Sequence, residues 1–359
     1  MLKTAIITGA TGQIGSYFCE FLLNQDFQVY GTVRRLSVNN HQNIEHLKTN
    51  NRFDLIRADL NDEHSLSRVI EKIKPDYFIN CAAISHTAES WEFPVLTMQS
   101  DCIAIINILE AIRKNIPDCR FANIGSTLEL GTKQRPNEAA TPYSAAKIAA
   151  HQIVICYRRK YNLFAVQPLI SNSESPRRGE DFVTRKITKN IARIYYELQN
   201  GKKITPFSLG NIDTGRNFCH VLDIVRGIWA VLNQYNLNCC LKDYVICGDK
   251  NYTIRNFLEE SLKIAGIEFY VLNGAHPNDE DKGKYNPNKD IYCYKKESNA
   301  FPPLVLRDKS LFRDNEDDVI NLNNSDIKKD LKWKQNICFS DLVTEMVEFD
   351  ILNYGKQTT

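Results

Sequence analysis

Tyr143 and Lys147 stand four residues apart in "TPYSAAK", a short distance beyond "STLE", which carries Thr127 and Glu129. On a helix that spacing places the phenol and the ammonium on one face. An ammonium beside a phenol favours the phenolate and draws its pKa down from near 10. A phenolate so placed can take a hydroxyl proton while hydride leaves the same carbon. A carboxyl that serves first as base and then as acid adds elimination to that oxidation. Y-x-x-x-K alone is common in helices by chance, so the reading needs a hydride acceptor elsewhere in the chain.

The string "TGATGQIG" supplies a candidate. Gly9, Gly12 and Gly15 fall between an apolar run and a helical pattern, where a dinucleotide's pyrophosphate can approach the backbone at a helix N-terminus. Thr11, Gln13 and Ile14 complete the turn. The spacing is G-x-x-G-x-x-G rather than G-x-G-x-x-G, and a purely structural glycine turn is the alternative. The second strand ends in "GTVRR". Arg34 and Arg35 stand where an acidic residue would select a free ribose hydroxyl, and a guanidinium suits a 2′-phosphate, so NADP is expected. A solvated basic turn is the alternative there. Asp59 and Leu60 after the third strand, and Ala82, Ala83 and Ser85 after the fourth, are the other expected cofactor contacts.

The elements that must position these groups follow from the pattern. "KTAIITGATGQIGSYFCEFLLNQDFQVYGTVRR" reads as β-α-β. "RFDLIRADL", "DYFINCAA" and "CRFANIGS" read as strands, with "DEHSLSRVIEKIK" and "TMQSDCIAIINILEAIRKN" as helices. "TPYSAAKIAAHQIVICYRRKYN" continues as a long helix and "LFAVQPLIS" as one further strand. Alternation of this kind predicts an α/β, Rossmann-type doubly wound parallel sheet, followed by a smaller, interleaved α/β substrate lobe. The expected division gives 1–168, with 212–248 and part of 313–332, to the nucleotide domain. Residues 169–211 and 249–359 form mainly the substrate lobe. The polar stretch "NGAHPNDEDKGKYNPNKDIYCYKKESN" reads as a surface loop or hairpin, and the end of the chain as two helices.

Composition sets the outer bounds. The chain has 359 residues, 43% apolar and 25% charged, with a net charge of +2. That charge gives no sign of a nucleic-acid or membrane-surface binder. No run reads as apolar enough to span a bilayer, and the start enters a strand-like run at once, so a cytoplasmic protein is expected. The eleven cysteines are scattered without metal-ligand spacing and read as small buried hydrophobes of a reducing compartment; no metal is expected.

With a nucleotide fold ahead of it, Y-x-x-x-K resembles the extended short-chain dehydrogenase/reductase superfamily. "STLE" looks like the S-T-x-E of nucleotide-sugar 4,6-dehydratases. "TGATGQIGSY", "VRR", "IEHL", "NLFAV", "ESPRRG", "FVTRK" and "FSLGN" are similar to GDP-mannose 4,6-dehydratases over nearly the whole chain. The resemblance implies a lyase using NADP. Tyr143 would take the C4 hydroxyl proton, with Thr127 bonding that oxygen and Lys147 holding the cofactor ribose. Glu129 would carry the C5 proton to the departing C6 hydroxyl. It further implies Asn172, Arg216 and Arg313 at the diphosphate of a GDP-sugar, with Glu316 nearby. Arg185, Leu209 and Asn211 would frame sugar and guanine, and His86 would lie near cofactor or sugar. His220 reads as a packing residue.

Departures bear on the sugar. Where the family has S-E-L-Y-G the chain has "LELGTK", the segment from Glu129 to Tyr143 is shorter, Ser173 replaces a histidine in "NSESP", and residues 274–305 look inserted. GDP-mannose or a GDP-manno-heptose is expected. The family's loop after "VRR" reaches a neighbouring subunit; here it lacks an arginine near His41–Asn43, and a homodimer or homotetramer is expected. A GDP-sugar reductase or 4-epimerase, and a non-catalytic NADP-binding regulator, are the competing readings.

Overall fold

The computed structural model describes residues 2–35, 40–132, 135–235, 240–273, 290–294, 302–312 and 322–358. Arg313 and Glu316 lie outside them, as does most of the 274–305 segment. The chain divides into two compact units. One comprises Met1–Ser173, Cys219–Asp249 and Ile320–Asn336, and the other Glu174–Phe218, Lys250–Val319 and Ile337–Thr359.

In the first unit the opening pattern folds as β1 (Thr4–Thr8), α1 (Gln13–Leu23) and β2 (Gln28–Val33). β3 (Phe53–Arg57), α2 (Glu63–Ile73) and β4 (Tyr77–Asn80) follow. Asp62 starts α2 by accepting the backbone N–H groups of His64 and Ser65, and Lys74 ends it in the left-handed region at φ 49°, a cap at each end. α3 runs over Pro94–Asn115, β5 is Arg120–Asn123 and β6 Gly125–Ser126. α4 (Pro142–Tyr161) opens on a Thr141–Ser144 capping box with Pro142 in its first turn, the arrangement that fits a helix start. Its early turns hold Tyr143 and Lys147.

Five of the strands, joined by β7 (Ala165–Val166), make a parallel sheet in the order β3-β2-β1-β4-β5-β7. The doubly wound expectation is met. The single strand expected over "LFAVQPLIS" is instead broken after β7. β8 (Leu169–Ile170) leaves for a separate three-stranded parallel sheet with β6 and Val245–Ile246. Pro168 has no N–H to continue the ladder, and the chain changes sheets there.

α3 corrects another expectation. It has 22 residues, and an 18-residue window of it, with mean hydropathy 1.5, is long and apolar enough to cross a membrane. Half of that window is buried, and Ile105, Ile108, Leu109 and Ile112 sit in the core with Leu66 and Ile70 of α2 and Ala150 and Val154 of α4. Its C-terminal half is therefore packing surface, while Val95, Leu96, Met98 and Ile103 nearer its start are exposed. A π-helical turn interrupts it at Gln99–Ile103.

The second unit carries a helix over Val183–Gln199 that packs against Phe339–Thr358 and Ile254–Ile264. A four-stranded sheet runs in the order Phe207–Leu209, Pro303–Arg307, Asp290–Tyr294, Phe269–Asn273. The last two pair antiparallel; the rest of the polar stretch read as a loop or hairpin lies outside the described residues. Ile187, Phe257, Leu258, Tyr292 and Met346 form the core of this unit.

Candidate active site

The carboxyl ends of the parallel strands are tied by a buried amide ladder. Thr8 donates to Asn80, Asn80 Nδ2 to Asn123 Oδ1 at 2.8 Å, and Asn123 Nδ2 to Gln167 Oε1 at 2.7 Å. Gln167 Nε2 then donates to Glu129 Oε1 and Oε2 at 3.0 and 3.1 Å. Each amide in the ladder meets a partner, as buried polar groups require. The last one points the sheet's polar edge at the candidate acid/base.

Glu129 is held firmly. Ser126 caps the 3-10 turn Thr127–Leu130, and Glu129 Oε1 accepts the Ser126 N–H at 2.7 Å in a capping box. His151 Nδ1 lies 2.9 Å from Glu129 Oε2. It is no exposed loop carboxylate, for only 4% of its side chain is accessible. Gly125 leaves the room: a Cβ there would sit 2.8 Å from Glu129 Oε1 and 2.9 Å from the Pro168 oxygen. Downstream, Gly131 adopts φ +74°, which lets the chain turn back against Arg135.

Tyr143 and Lys147 are both buried. Lys147 Nζ donates to the Ile124 oxygen at 2.9 Å and stands 5.7 Å from the centre of the Tyr143 ring. Burial pushes the phenol's pKa above its ordinary value. Lys147 pulls it down, Asp101 pushes it up, the Ser126 hydroxyl lowers it through a hydrogen bond, and Glu129 raises it. The expected net lowering by Lys147 is thus corrected: the pull exists, but desolvation outweighs it. Burial likewise opposes charge on Lys147, but Asp101, Tyr143 and Glu129 outweigh it and hold the ammonium above its usual range.

Asp101 was not read from the sequence. It sits on the π turn of α3, 1% exposed, with Oδ1 accepting the Ile84 N–H at 2.8 Å and Oδ2 without a hydrogen-bond partner. Burial raises its pKa and Lys147 lowers it. A π turn inside an α-helix is a frequent mark of functional sites, but nothing in "MQSDC" announces one. Ser126 also went unread as a partner of Tyr143; Thr127, expected to bond the substrate's C4 oxygen, is half-buried in the adjoining turn.

The glycine turn fits a pyrophosphate. A Cβ on Gly15 would lie 2.2 Å from the Gly9 oxygen, and one on Gly9, at φ +62°, would lie 2.9 Å from the Ala82 nitrogen. Gly12 donates to Gly9 at 2.9 Å, and no side chain caps α1, so its N-terminus is open to an anion. Asn43 ties the Thr11 oxygen, Gln13 the Ser173 oxygen, and Ile14 packs on the core. Arg34 and Arg35 are exposed at the end of β2. Asp59 forms a local turn with Asn61, Leu60 accepts from Asn107, and Ala83 and Ser85 are exposed.

The expected sugar-nucleotide residues fare unevenly. In the first unit, His86 Nδ1 accepts the Glu89 N–H at 3.4 Å and Asn172 is exposed. His220 is fully buried and caps Val221–Leu232, a structural role as expected. In the second unit Leu209 is 2% exposed within the core, and its oxygen accepts the Asp308 N–H at 2.8 Å. Its side chain therefore does not frame a ligand, which corrects that expectation. Arg185 is paired with Asp350, whose other partner is Thr188, so one guanidinium nitrogen clasps two helices while the buried Nε has no hydrogen-bond partner. Asn211 accepts from Asp213, Arg307 approaches it at 3.5 Å, and Arg216 is half-buried. Arg307, unread from the sequence, adds a cation beside Asn211. Among the described residues no cluster suits a metal ion.

A parallel sheet with a glycine turn after β1 and a Tyr-Lys pair after β5 defines the class of Rossmann-fold short-chain dehydrogenase/reductase-like enzymes. Solved structures share the fold. A dTDP-glucose 4,6-dehydratase from Bacillus anthracis superposes with a TM-score of 0.73 at 17% identity, covering 98% of both chains. A UDP-glucose 4-epimerase from Thermotoga maritima gives 0.74 at 18%, covering 99% and 100%. Sequence narrows the class. The family model "GDP-mannose 4,6 dehydratase" matches residues 6–346. A GDP-mannose 4,6 dehydratase of Drosophila melanogaster is 35% identical over 97% of this chain and 86% of its own. One from Yersinia enterocolitica is 35% identical over 99% and 95%. The chain belongs to the GDP-mannose 4,6-dehydratase family.

Proposed function

We propose that this chain is a hydro-lyase that dehydrates a GDP-sugar, GDP-mannose or a GDP-manno-heptose, to its 4-keto-6-deoxy product. The observation that carries the reading is one buried cluster in a member of this family: Tyr143 bonded to Ser126, Lys147 beside its ring, and Glu129 in the next turn. When bound, the oxidised nicotinamide of NADP supplies a hydride acceptor and a positive charge that, like Lys147, favours phenolate. Tyr143 takes the C4 hydroxyl proton, with Ser126 and Thr127 at the same oxygen. The resulting ketone acidifies C5. Glu129 removes that proton and delivers it to the C6 hydroxyl, which departs as water.

The glycine turn would hold the pyrophosphate, with Thr11, Gln13 and Ile14 beside it, and Asp59, Leu60, Ala82, Ala83 and Ser85 along the strand ends. Arg34 and Arg35 support NADP over NAD. The first unit is proposed to bind this cofactor; Asn172, His86, Asn211, Arg216, Arg313 and Glu316 are proposed as contacts of the sugar nucleotide. The enzyme is proposed to be cytoplasmic and a homodimer or homotetramer. The apolar surface of Trp91, Phe93, Val95, Leu96, Met98 and Ile103, with Trp91 65% and Val95 70% exposed, supports self-association.

Incubation with a panel of GDP-sugars and no reductant tests the function. Mass spectrometry should show loss of one water with no net change in cofactor. Turnover that appears only when reduced cofactor is added would indicate a reductase, and an isomer of unchanged mass an epimerase.

Two further results are expected. Arg34→Ala combined with Arg35→Ala should weaken NADP binding by roughly 10- to 100-fold, the worth of a charged hydrogen bond, and leave NAD nearly unaffected in a calorimetric titration. Equal loss for both would place the arginines elsewhere. Asp101→Asn removes a push that holds the phenol protonated, so the acidic limb of kcat/KM should move to lower pH. An unmoved limb would show that Asp101 and Tyr143 are not coupled.

A further inference from the structure

Behind Glu129 lies a chain of charged groups that the proposed reaction does not use. His151 follows Lys147 by one turn of α4, and Tyr143, Lys147 and His151 share the spacing of one helix face. Its Nδ1 is 2.9 Å from Glu129 Oε2 and its Nε2 3.2 Å from Asp243 Oδ2. Asp243 is in turn gripped by Arg158, whose Nη2 donates to both of its oxygens at 2.8 and 2.7 Å, and by the Gln167 N–H at 2.6 Å. Burial disfavours charge on the imidazole, but its bonds to Asp243 and Glu129 outweigh that and hold it up to about 9. These are the charged groups that face it: Glu129 from the 3-10 turn, Asp243 from the segment before Val245–Ile246, and Arg158 through Asp243. Tyr143 and Lys147 approach the same glutamate from α4.

The chemistry leaves a proton to be found. The substrate gives up one proton from the C4 hydroxyl and one from C5, and it takes one on the departing hydroxyl and one back at C5. Glu129 collects only the C5 proton yet must deliver two, while the C4 hydroxyl proton rests on Tyr143. We propose that His151 is the proton reservoir of Glu129, passing the Nδ1 proton to the glutamate, which then reprotonates C5. The proposal rests on Glu129 being the acid/base of the elimination. The N–H bond of His151 breaks as an O–H bond forms on Glu129, and that O–H bond breaks as C5–H forms. Tyr143 releases its proton to solvent, and His151, with 17% of its side chain accessible, recovers one there. No oxidant or reductant beyond the returned hydride is needed. His151 acts through Glu129 and does not touch the sugar.

The test compares His151→Gln with the wild-type holoenzyme. The amide can still bond Glu129 but carries no transferable proton. Its kcat should fall by roughly 10- to 100-fold, with KM for the GDP-sugar unchanged within about twofold. Bound reduced nicotinamide should build up, seen by its near-ultraviolet absorbance, because hydride returns to C6 only as C5 takes up its proton. In the wild type the raised imidazole is charged at neutral pH and loses its proton as pH rises through about 9, so kcat should fall there, and that limb should vanish in the variant. A variant with wild-type kcat and limb, or a wild type with no such limb, overturns the proposal; the second measurement stands even if the variant does not fold. Glu129→Gln separates the layers. Inactivity there with normal His151→Gln turnover removes only the reservoir, whereas normal Glu129→Gln turnover removes the reading beneath it.

Discussion

Glu129→Gln binds its nucleotide ligands and releases no water: this is the largest effect expected. General acid–base groups contribute roughly 10²–10⁴-fold, and here one carboxyl serves proton removal and proton delivery, so the loss should reach the upper part of that range. The amide is nearly isosteric, but it brings a donor to a site built of donors: the Ser126 N–H, Gln167 Nε2 and His151 Nδ1. One mismatched contact should cost about 1–3 kcal/mol of stability, which a thermal melt would register without loss of fold. Oxidation at C4 depends on Tyr143 and not on this carboxyl. The variant should therefore accumulate bound reduced nicotinamide on mixing with substrate while mass spectrometry finds no dehydrated product. Normal water loss would show that another group carries the C5 proton.

Tyr143→Phe should stop the cycle one step earlier. The ring remains, filling a site only 8% exposed, and the fold loses one bond to Ser126, worth about 0.5–1.5 kcal/mol. What disappears is the base for the C4 hydroxyl. Turnover should drop by roughly 10³–10⁴-fold, with KM little changed and, unlike Glu129→Gln, no burst of reduced nicotinamide. The two variants thus dissect the order of events: no burst and no water loss for the tyrosine, a burst without water loss for the glutamate. A burst from Tyr143→Phe would assign the C4 proton to a different base.

The parts of the molecule legible in its sequence are those written in local pattern. The glycine turn, the parallel strands and the Tyr143–Lys147 pair each depend on residues within about one element, where side-chain periodicity and turn chemistry speak directly. What the pattern could not express was long-range. Asp243 meets His151 across 92 residues and Asp350 meets Arg185 across 165, so neither the network behind Glu129 nor the diversion of Arg185 into a helix clasp has a local signature. Leu209 looked like a ligand contact because its motif is similar to the family's, yet alternation in a short strand turned it into the core. The break at Pro168 was visible as a proline, but which sheet would receive β8 was not. One signal was present and unread: His151 follows Lys147 at the same spacing by which Lys147 follows Tyr143, so all three share a face.

Lys147 also shows where a sound local argument gives the wrong sign. Its charge lowers the Tyr143 pKa as the spacing suggests, but the pair lies in the interior, and desolvation opposes it more strongly. The phenolate is therefore a state that the assembled complex must favour, with the cationic nicotinamide and Lys147 acting together.

In the proposed cycle a single hydride leaves C4 and comes back to C6 of the same sugar. GDP-sugar deuterated at C4 and mixed with an excess of unlabelled molecules, without added reductant, should yield product carrying deuterium at C6 of the labelled molecules alone. Deuterium lost to solvent, retained at C4 or scattered onto the unlabelled population would contradict it.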